Sequence, residues 1–299
     1  MTIKTHTKIC IGISLAIMLV ALVMSLCGAG INLGLDFAGG LNLQYQMGQN
    51  FETADVEETL RALGVKEYAV SVVGEDGTTM QARIASLGGE EEIQQMQSKL
   101  EEALLVQYPA MDVTQAVASY VGPVAGRTLV RNAIFSVLLA AALMLVYIAF
   151  RFDFSSGVAA VIGLLHDVLI MLSFMVILRN VIQMNSSFIA AMLTIVGYSI
   201  NNTIVIFDRI RENKKKPACA GMTRAQIADV SVKESLGRTI NTTLTTLATI
   251  VSLYVLGVSA IREFSLPIII GILAGVYSAN LINGYVWAAF EDWRLGKRK

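Results

Sequence analysis

His166 and Asp167 sit at the centre of a stretch, Phe154 to Leu178, that is otherwise free of charge. A run of that length and apolarity belongs in a bilayer, where a carboxylate is costly and marks an ion or proton path by default. The chemistry on offer is reversible protonation; the plainer reading is a structural pair satisfied by neighbouring hydroxyls. A second group lies in Gly197–Lys216, where the adjacent amides Asn201 and Asn202 are followed by charges from Asp208 and Arg209 to Lys216. Side-chain amides in lipid need partners. Asn201 and Asp208 are seven residues apart and share a helix face with Gly197, so this stripe is expected to face a bundle interior or a wet cavity. It can equally be helix-to-helix glue. A third group opens with Arg238, after which Thr242, Thr245, Thr249 and Ser252 follow at helical spacing. Such hydroxyls can hydrate a proton path or simply bond at a helix interface, and Arg238 can snorkel from the end of its run.

Other chemistries find no residues. No stretch resembles a hydrolase triad, a phosphate loop or a nucleotide fingerprint. His6 and His166 are the two histidines, which excludes a multi-His metal site, and no cofactor is expected. Cys10 and Cys27 fall on one expected helix, about 25 Å apart at 1.5 Å per residue, too far to bridge.

The elements that must hold these groups are membrane spans. The chain is 55% hydrophobic and 15% charged, with a mean hydropathy of +0.61, outside ordinary soluble usage. Runs long enough to cross a bilayer are expected at Ile9–Ile31, Asn132–Phe150, Phe154–Leu178, Ser186–Phe207, Thr239–Ile261 and Phe264–Phe290. The first is too long for a cleaved signal peptide and lacks a clear cleavage site before Asp36. Gly271 and Gly275, continued by Ala279, make a close-packing line on the last span, and Pro267 is placed in its first turns. Thr223 and Gln226 have the spacing of a capping box, read as opening a short helix in the loop 208–238.

Between the first two spans, residues 32–127 read as a separate domain. Asp36, Gly39 and Gly40 lie in a turn that needs unusual backbone angles. Leu41 to Met47 alternates with strand period, Thr53 to Leu63 is helical with Gly64 as its stop, and Ala69–Val73 and Thr78–Ala85 are strands around a Gly74–Gly77 hairpin. Glu90–Tyr108 is a helix and Met111–Tyr120 a last strand. The order βαββαβ is that of a ferredoxin-like unit. The segment carries fourteen acidic and five basic residues, an ordinary acidic surface.

Charge sets the expected topology. Bases gather at the amino terminus, at the carboxyl tail and in 208–238, which holds eight bases against four acids. Six spans put all three on one side, the cytosol. Both termini are then cytosolic and 32–127 lies outside. The basic run near Lys214 is explained by topology and anionic lipid, so the bilayer is the expected partner and nucleic acid is not.

Four stretches carry a family likeness: Gly34-Leu-Asp-Phe-Ala-Gly-Gly40, His166-Asp-Val168, Gly197-Tyr-Ser-Ile-Asn-Asn-Thr203 running into Asp208-Arg-Ile-Arg-Glu-Asn213, and Ser235-Leu-Gly-Arg-Thr239. In order and spacing they resemble the SecF branch of the SecD/SecF family of protein-export membrane proteins, in the resistance-nodulation-division superfamily. The resemblance implies a bacterial cytoplasmic-membrane protein that pairs with SecD as a heterodimer. It further implies work with the SecYEG channel, with YajC as an accessory, and outward movement of a translocating preprotein on the proton-motive force after SecA has used ATP. The chain would be half of a pseudo-symmetric twelve-helix unit. Where the family commonly has an Asp that works with the Arg matching Arg238, this chain has Asn202, which cannot take up a proton. The titrating group is then expected at Asp167 or in SecD, with Asn202 keeping a hydrated path open. Three other readings compete: an exporter of lipids or small molecules, an intramembrane enzyme, and a passive scaffold for SecD. The enzyme lacks a second deep acid or nucleophile, and Asn202 favours the scaffold.

Overall fold

The computed structural model describes residues 3–65, 68–73, 77–84 and 90–296. Its contacts divide the chain into two units. One comprises Met1–Asn32, Phe135–Gln183 and Ser187–Lys299; the other comprises Leu33–Ile134 and Met184–Ser186.

In the second unit, helix α2 (Leu35–Ala38) is followed by β1 (Gly40–Gln46), α3 (Thr53–Ala62), β2 (Tyr68–Val73), β3 (Thr79–Ile84), α4 (Glu90–Gln107) and β4 (Asp112–Val121). The sheet order is β2-β3-β1-β4, every pair antiparallel, with Leu41 opposite both Ile84 and Tyr120. Alternation explains the core. Leu41, Leu43 and Tyr45 from β1 and Met80, Ala82 and Ile84 from β3 share one buried face with Val56 and Leu60 of α3 and Leu100 and Leu104 of α4. Each large apolar side chain fully buried there stabilises the fold by about 1.5–3 kcal/mol relative to exposure. The Tyr45 hydroxyl donates to Glu101 at 2.8 Å and that of Tyr108 to Asp55 at 2.8 Å. Burial first, then the neighbouring carboxylate, pushes both phenols above their ordinary range. Residues 74–76 of the expected hairpin, and Ala85, lie outside the described residues.

The motif turn belongs to the same unit. Gly39 and Gly40 adopt φ of 74° and 131°, the left-handed side of backbone space that a side chain resists. Leu33 bridges Met184, Gly34 N–H donates to Met184 O at 2.8 Å, and Asp36 Oδ2 accepts from Ser186 N–H at 2.9 Å.

Among the described residues, six helices are long and apolar enough to cross a membrane. They are α1 (Ile3–Leu26), α5 (Pro123–Arg151), α6 (Phe154–Ile177), α7 (Ser186–Asn213), α8 (Arg224–Leu256) and a compound last span. That last span is α9 (Ser259–Ser278), a π turn (Ala279–Asn283) and α10 (Gly284–Gly296). The most apolar window of α5 buries none of its residues inside the chain. Ile134, Phe135, Leu138, Leu139 and Leu143 are all exposed, which water penalises and lipid does not.

Three expected details change. The Thr223–Gln226 capping box is present but opens the single 33-residue helix α8, not a short separate one, because nothing between Arg224 and Leu256 breaks the helix. Pro267 lies well inside α9, past its first turns, since that helix already begins at Ser259. The first span starts earlier than expected and ends at Leu26, ahead of Gly28 at φ 85°.

Candidate functional site

Asp167 is completely buried. Its position on α6 is fixed by a stripe of buried small residues, Ser156, Ala159, Ala160 and Gly163, that lets neighbouring helices approach. On the partner side, a Cβ added at Gly275 would come within 3.2 Å of Ser199 Cβ, and one at Gly271 would overlap Ile195. Thus α9 lies directly on α7, and the two bring serines to one carboxylate. Ser199 and Ser278 both donate to Asp167 Oδ2, the latter at 2.9 Å. His166 Nδ1 lies 2.9 Å from Oδ1, and its Nε2 is 2.7 Å from Ser14 Oγ of α1. The His166 ring thus joins Asp167 on one nitrogen to Ser14 on the other, and either nitrogen can carry the proton according to the tautomer. Tyr277 stacks on His166 with centroids 6.0 Å apart and donates its hydroxyl to the Cys10 carbonyl. Three spans therefore meet at one acid, and α1 joins them through His166. A largely apolar cavity of about 310 Å³ borders the cluster, lined by Ile13, Ser14, His166, Ile170, Leu273 and Tyr277 among others.

The adjacent amides part company. Asn201 is exposed on this chain, with Gly197 open beside it, so the expected interior stripe through Asp208 does not face this chain's own bundle. The helical step of about 100° per residue turns Asn202 inward instead. Asn202 is buried, and its Nδ2 has no hydrogen-bond partner among the described residues. One turn earlier Tyr198 OH donates to Thr243 of α8 at 3.2 Å, and Thr239 of α8 donates to Asn280 at 3.1 Å. The first bond joins α7 to α8, and the second joins α8 to the π turn of the last span.

Arg238 is exposed and lines a cavity of about 210 Å³ with Val205, Asp208, Arg209, Glu212, Glu234 and Ser235. Arg209 bridges Glu234 and Glu212, both at 2.7 Å, while Asp208 pairs with Arg211 at 2.8 Å and Arg151 at 3.3 Å. At such exposure solvent screens these pairs and each contributes little to stability. Thr242 is half-buried, and the hydroxyls of Thr245, Thr249 and Ser252 bond to carbonyls of their own helix. Asp36, Gly39 and Gly40 stay with the other unit, so the structure gathers His166 and Asp167 with three unforeseen serines and leaves Arg238 and Thr242 apart.

Among the described residues no group of three or more His, Cys, Asp or Glu side chains is placed to hold a metal. Among the described residues the buried polar side chains are serines, threonines, asparagines and the carboxylates Asp167 and Glu291, suited to proton and water contacts.

The profile of the family "Protein export membrane protein SecD/SecF, C-terminal" matches residues 102–293, and the "SecD/SecF GG Motif" matches residues 25–50. The SecF translocase subunit of Thermodesulfovibrio yellowstonii is 38% identical over 251 residues, 84% of this chain and 81% of that one. The chain belongs to the SecD/SecF family of protein-export membrane proteins. It is a translocase subunit of that type, and a multi-pass protein of the cytoplasmic membrane. The SecDF subunit of Bacillus subtilis is 34% identical over 269 residues, 89% of this chain but 35% of its own length. The crystal structure of SecDF from Thermus thermophilus, a translocon-associated membrane protein, superposes with a TM-score of 0.79 at 32% identity. It covers 96% of this chain and 38% of its own. The chain thus spans little more than a third of these SecDF proteins.

Ser14, Ser199 and Ser278 were not foreseen, because a lone serine in an apolar helix carries no periodic signal. The one trace is that Ser278 and Ala279 continue the Gly271–Gly275 line.

Proposed function

We propose that this chain is the SecF-side half of a SecD–SecF heterodimer that assists protein export by coupling proton movement to work on the preprotein. The observation that carries the reading is the buried Asp167, held by Ser199, Ser278 and His166 from three spans. Protonating it removes the charge that those donors stabilise, and that shifts how the spans pack. Three helices bonded to one acid, with a fourth tied in through His166, form an arrangement suited to converting a proton into motion. The partners are SecD, the SecYEG channel with YajC at its margin, the preprotein and the surrounding lipid.

The segment 32–127 is a ferredoxin-like domain on the outer side of the membrane, by its element order and its 2-3-1-4 sheet. Residues 1–31 form the cytosolic start and first span, and 128–299 the five-helix remainder with a cytosolic loop and tail. With the native cysteines replaced, Ser98→Cys should be labelled from outside intact cells and Lys215→Cys should not. The reverse pattern overturns the orientation.

A scaffold role for SecD is the second reading, favoured by Asn202, which cannot titrate. Pulse-chase export with and without an uncoupler separates the two. Asp167→Asn should abolish the uncoupler-sensitive part of export in a working half and leave it intact in a scaffold. Co-purification with a SecD-type partner tests the assembly itself.

A further inference from the structure

Below Asp167 the polar groups continue, in a line the acid itself does not explain. Ser278 and Asn283 are five residues apart, the spacing that a π turn closes, and the π turn Ala279–Asn283 lies between them. It brings Asn283 rather than an apolar neighbour beneath Ser278. From there the regular helix places Trp287 and Glu291 at successive four-residue steps on the same face. Across from this face, α6 offers Gly163 one turn below Asp167, where a Cβ would overlap the Asn283 amide. It offers Ser155 at its lower end, and Ser155 Oγ donates to Glu291 Oε2. On α7, Thr203 sits one turn below Ser199 and accepts from Asn283 Nδ2 at 2.9 Å.

Two atoms in this line are orphans. Asn283 is 1% exposed and its Oδ1 has no partner among the described residues; Trp287 is 0% exposed and its indole Nε1–H has none. One is an acceptor and the other a donor, one turn apart, the pair of contacts a bridging water satisfies. Glu291, 8% exposed, ends the line beside charge. Lys214 Nζ is 3.8 Å from it and Arg294 Nη1 4.0 Å, and Lys214 also meets Asp153 at 3.8 Å. At 1.5 Å per residue the line from Ser278 to Glu291 is roughly 20 Å long.

We propose that Asp167 exchanges its proton with the cytosolic face through a file of water held by Asn283 and Trp287 and ending at Glu291. This rests on the reading of Asp167 as the group that gains and loses a proton. The transfer balances: an O–H bond breaks at Asp167, one forms at Glu291, and the charge left on Asp167 is taken by Ser199, Ser278 and His166. Glu291 then releases its proton to cytosolic water, and Lys214 and Arg294 hold the resulting carboxylate. The file does not require Asn202 to titrate, so it works in a chain whose side chain at that position is an amide.

The test uses the full chain with its SecD-type partner in lipid nanodiscs. Infrared spectra follow the Asp167 carboxyl band, assigned by its loss in Asp167→Asn, after a jump into heavy water. Trp287→Phe keeps an aromatic six-membered ring and deletes the pyrrole ring with its N–H, and Asn283→Leu keeps the branching and deletes the amide; each should slow deuteration about tenfold or more. Glu291→Gln should make the rate insensitive to the pH of the buffer. Thermal melting identifies any variant whose packing has failed. Wild-type rates in both well-folded Trp287→Phe and Asn283→Leu overturn the file while leaving Asp167 as a titrating group. A band that never changes with pH overturns the file and the titrating role together.

Discussion

The surroundings of Asp167 and of Asn202 differ although Ser199 and Asn202 lie on one face of α7. Asp167 is met by donors on both carboxylate oxygens, from α6, α7 and α9. Asn202 is as deeply buried and has an amide nitrogen with no partner among the described residues. A buried charge cannot wait for a partner, since leaving it unpaired costs several kcal/mol, whereas a neutral amide left unpaired costs about 1–3 kcal/mol. The chain therefore builds a shell of donors around its acid and leaves the amide nitrogen without a partner among the described residues.

That contrast can be broken by experiment. Asp167→Leu should have the largest effect, stranding three donors in an apolar core; loss of the intact SecD-type complex in membrane extracts is the expected outcome. Asp167→Asn keeps the shape and should preserve assembly, with uncoupler-sensitive export lowered at least tenfold, or about 1.4 kcal/mol in barrier. Gly163→Val drives a side chain into the Asn283 amide, and a destabilisation of about 1–3 kcal/mol should be read as earlier melting of the purified complex. Asn202→Leu should slow export several-fold while Asn202→Asp is tolerated; equal rates for the two would make the Asn202 environment as closed as that of Asp167. The smallest effect belongs to the other unit. Tyr45 keeps its proton when folded, because burial and Glu101 raise its phenol, but loses it above about pH 10 when unfolded. That contribution is fully present below pH 10 and fades above it. Residues 33–122 expressed alone should melt progressively earlier as pH rises past 10, and Tyr45→Phe should flatten that slope.

Periodicity and charge along the chain determined much of this protein. Period-two alternation from Leu41 to Met47 fixed the buried face of β1, because a strand has only two faces. Apolar length fixed the six spans, because a bilayer core has one thickness. Four short stretches carried the family likeness, and His166-Asp167 could be named as a deep polar pair from its surroundings alone. Only the tertiary structure decided what those groups touch. The Thr223 capping box looked the same whether it opened three turns or nine; the uninterrupted helix beyond it set the length. Spacing put Asn201 on an interior-facing stripe with Gly197 and Asp208, and helix packing turned Asn201 out and Asn202 in. Ser14, Ser199 and Ser278 are silent in sequence because hydrogen bonds between helices join residues 32 to 152 positions apart. The π turn that lines up Ser278 and Asn283 arises from the same cause: its phase is set by the helices it packs against, and no local residue pattern records it.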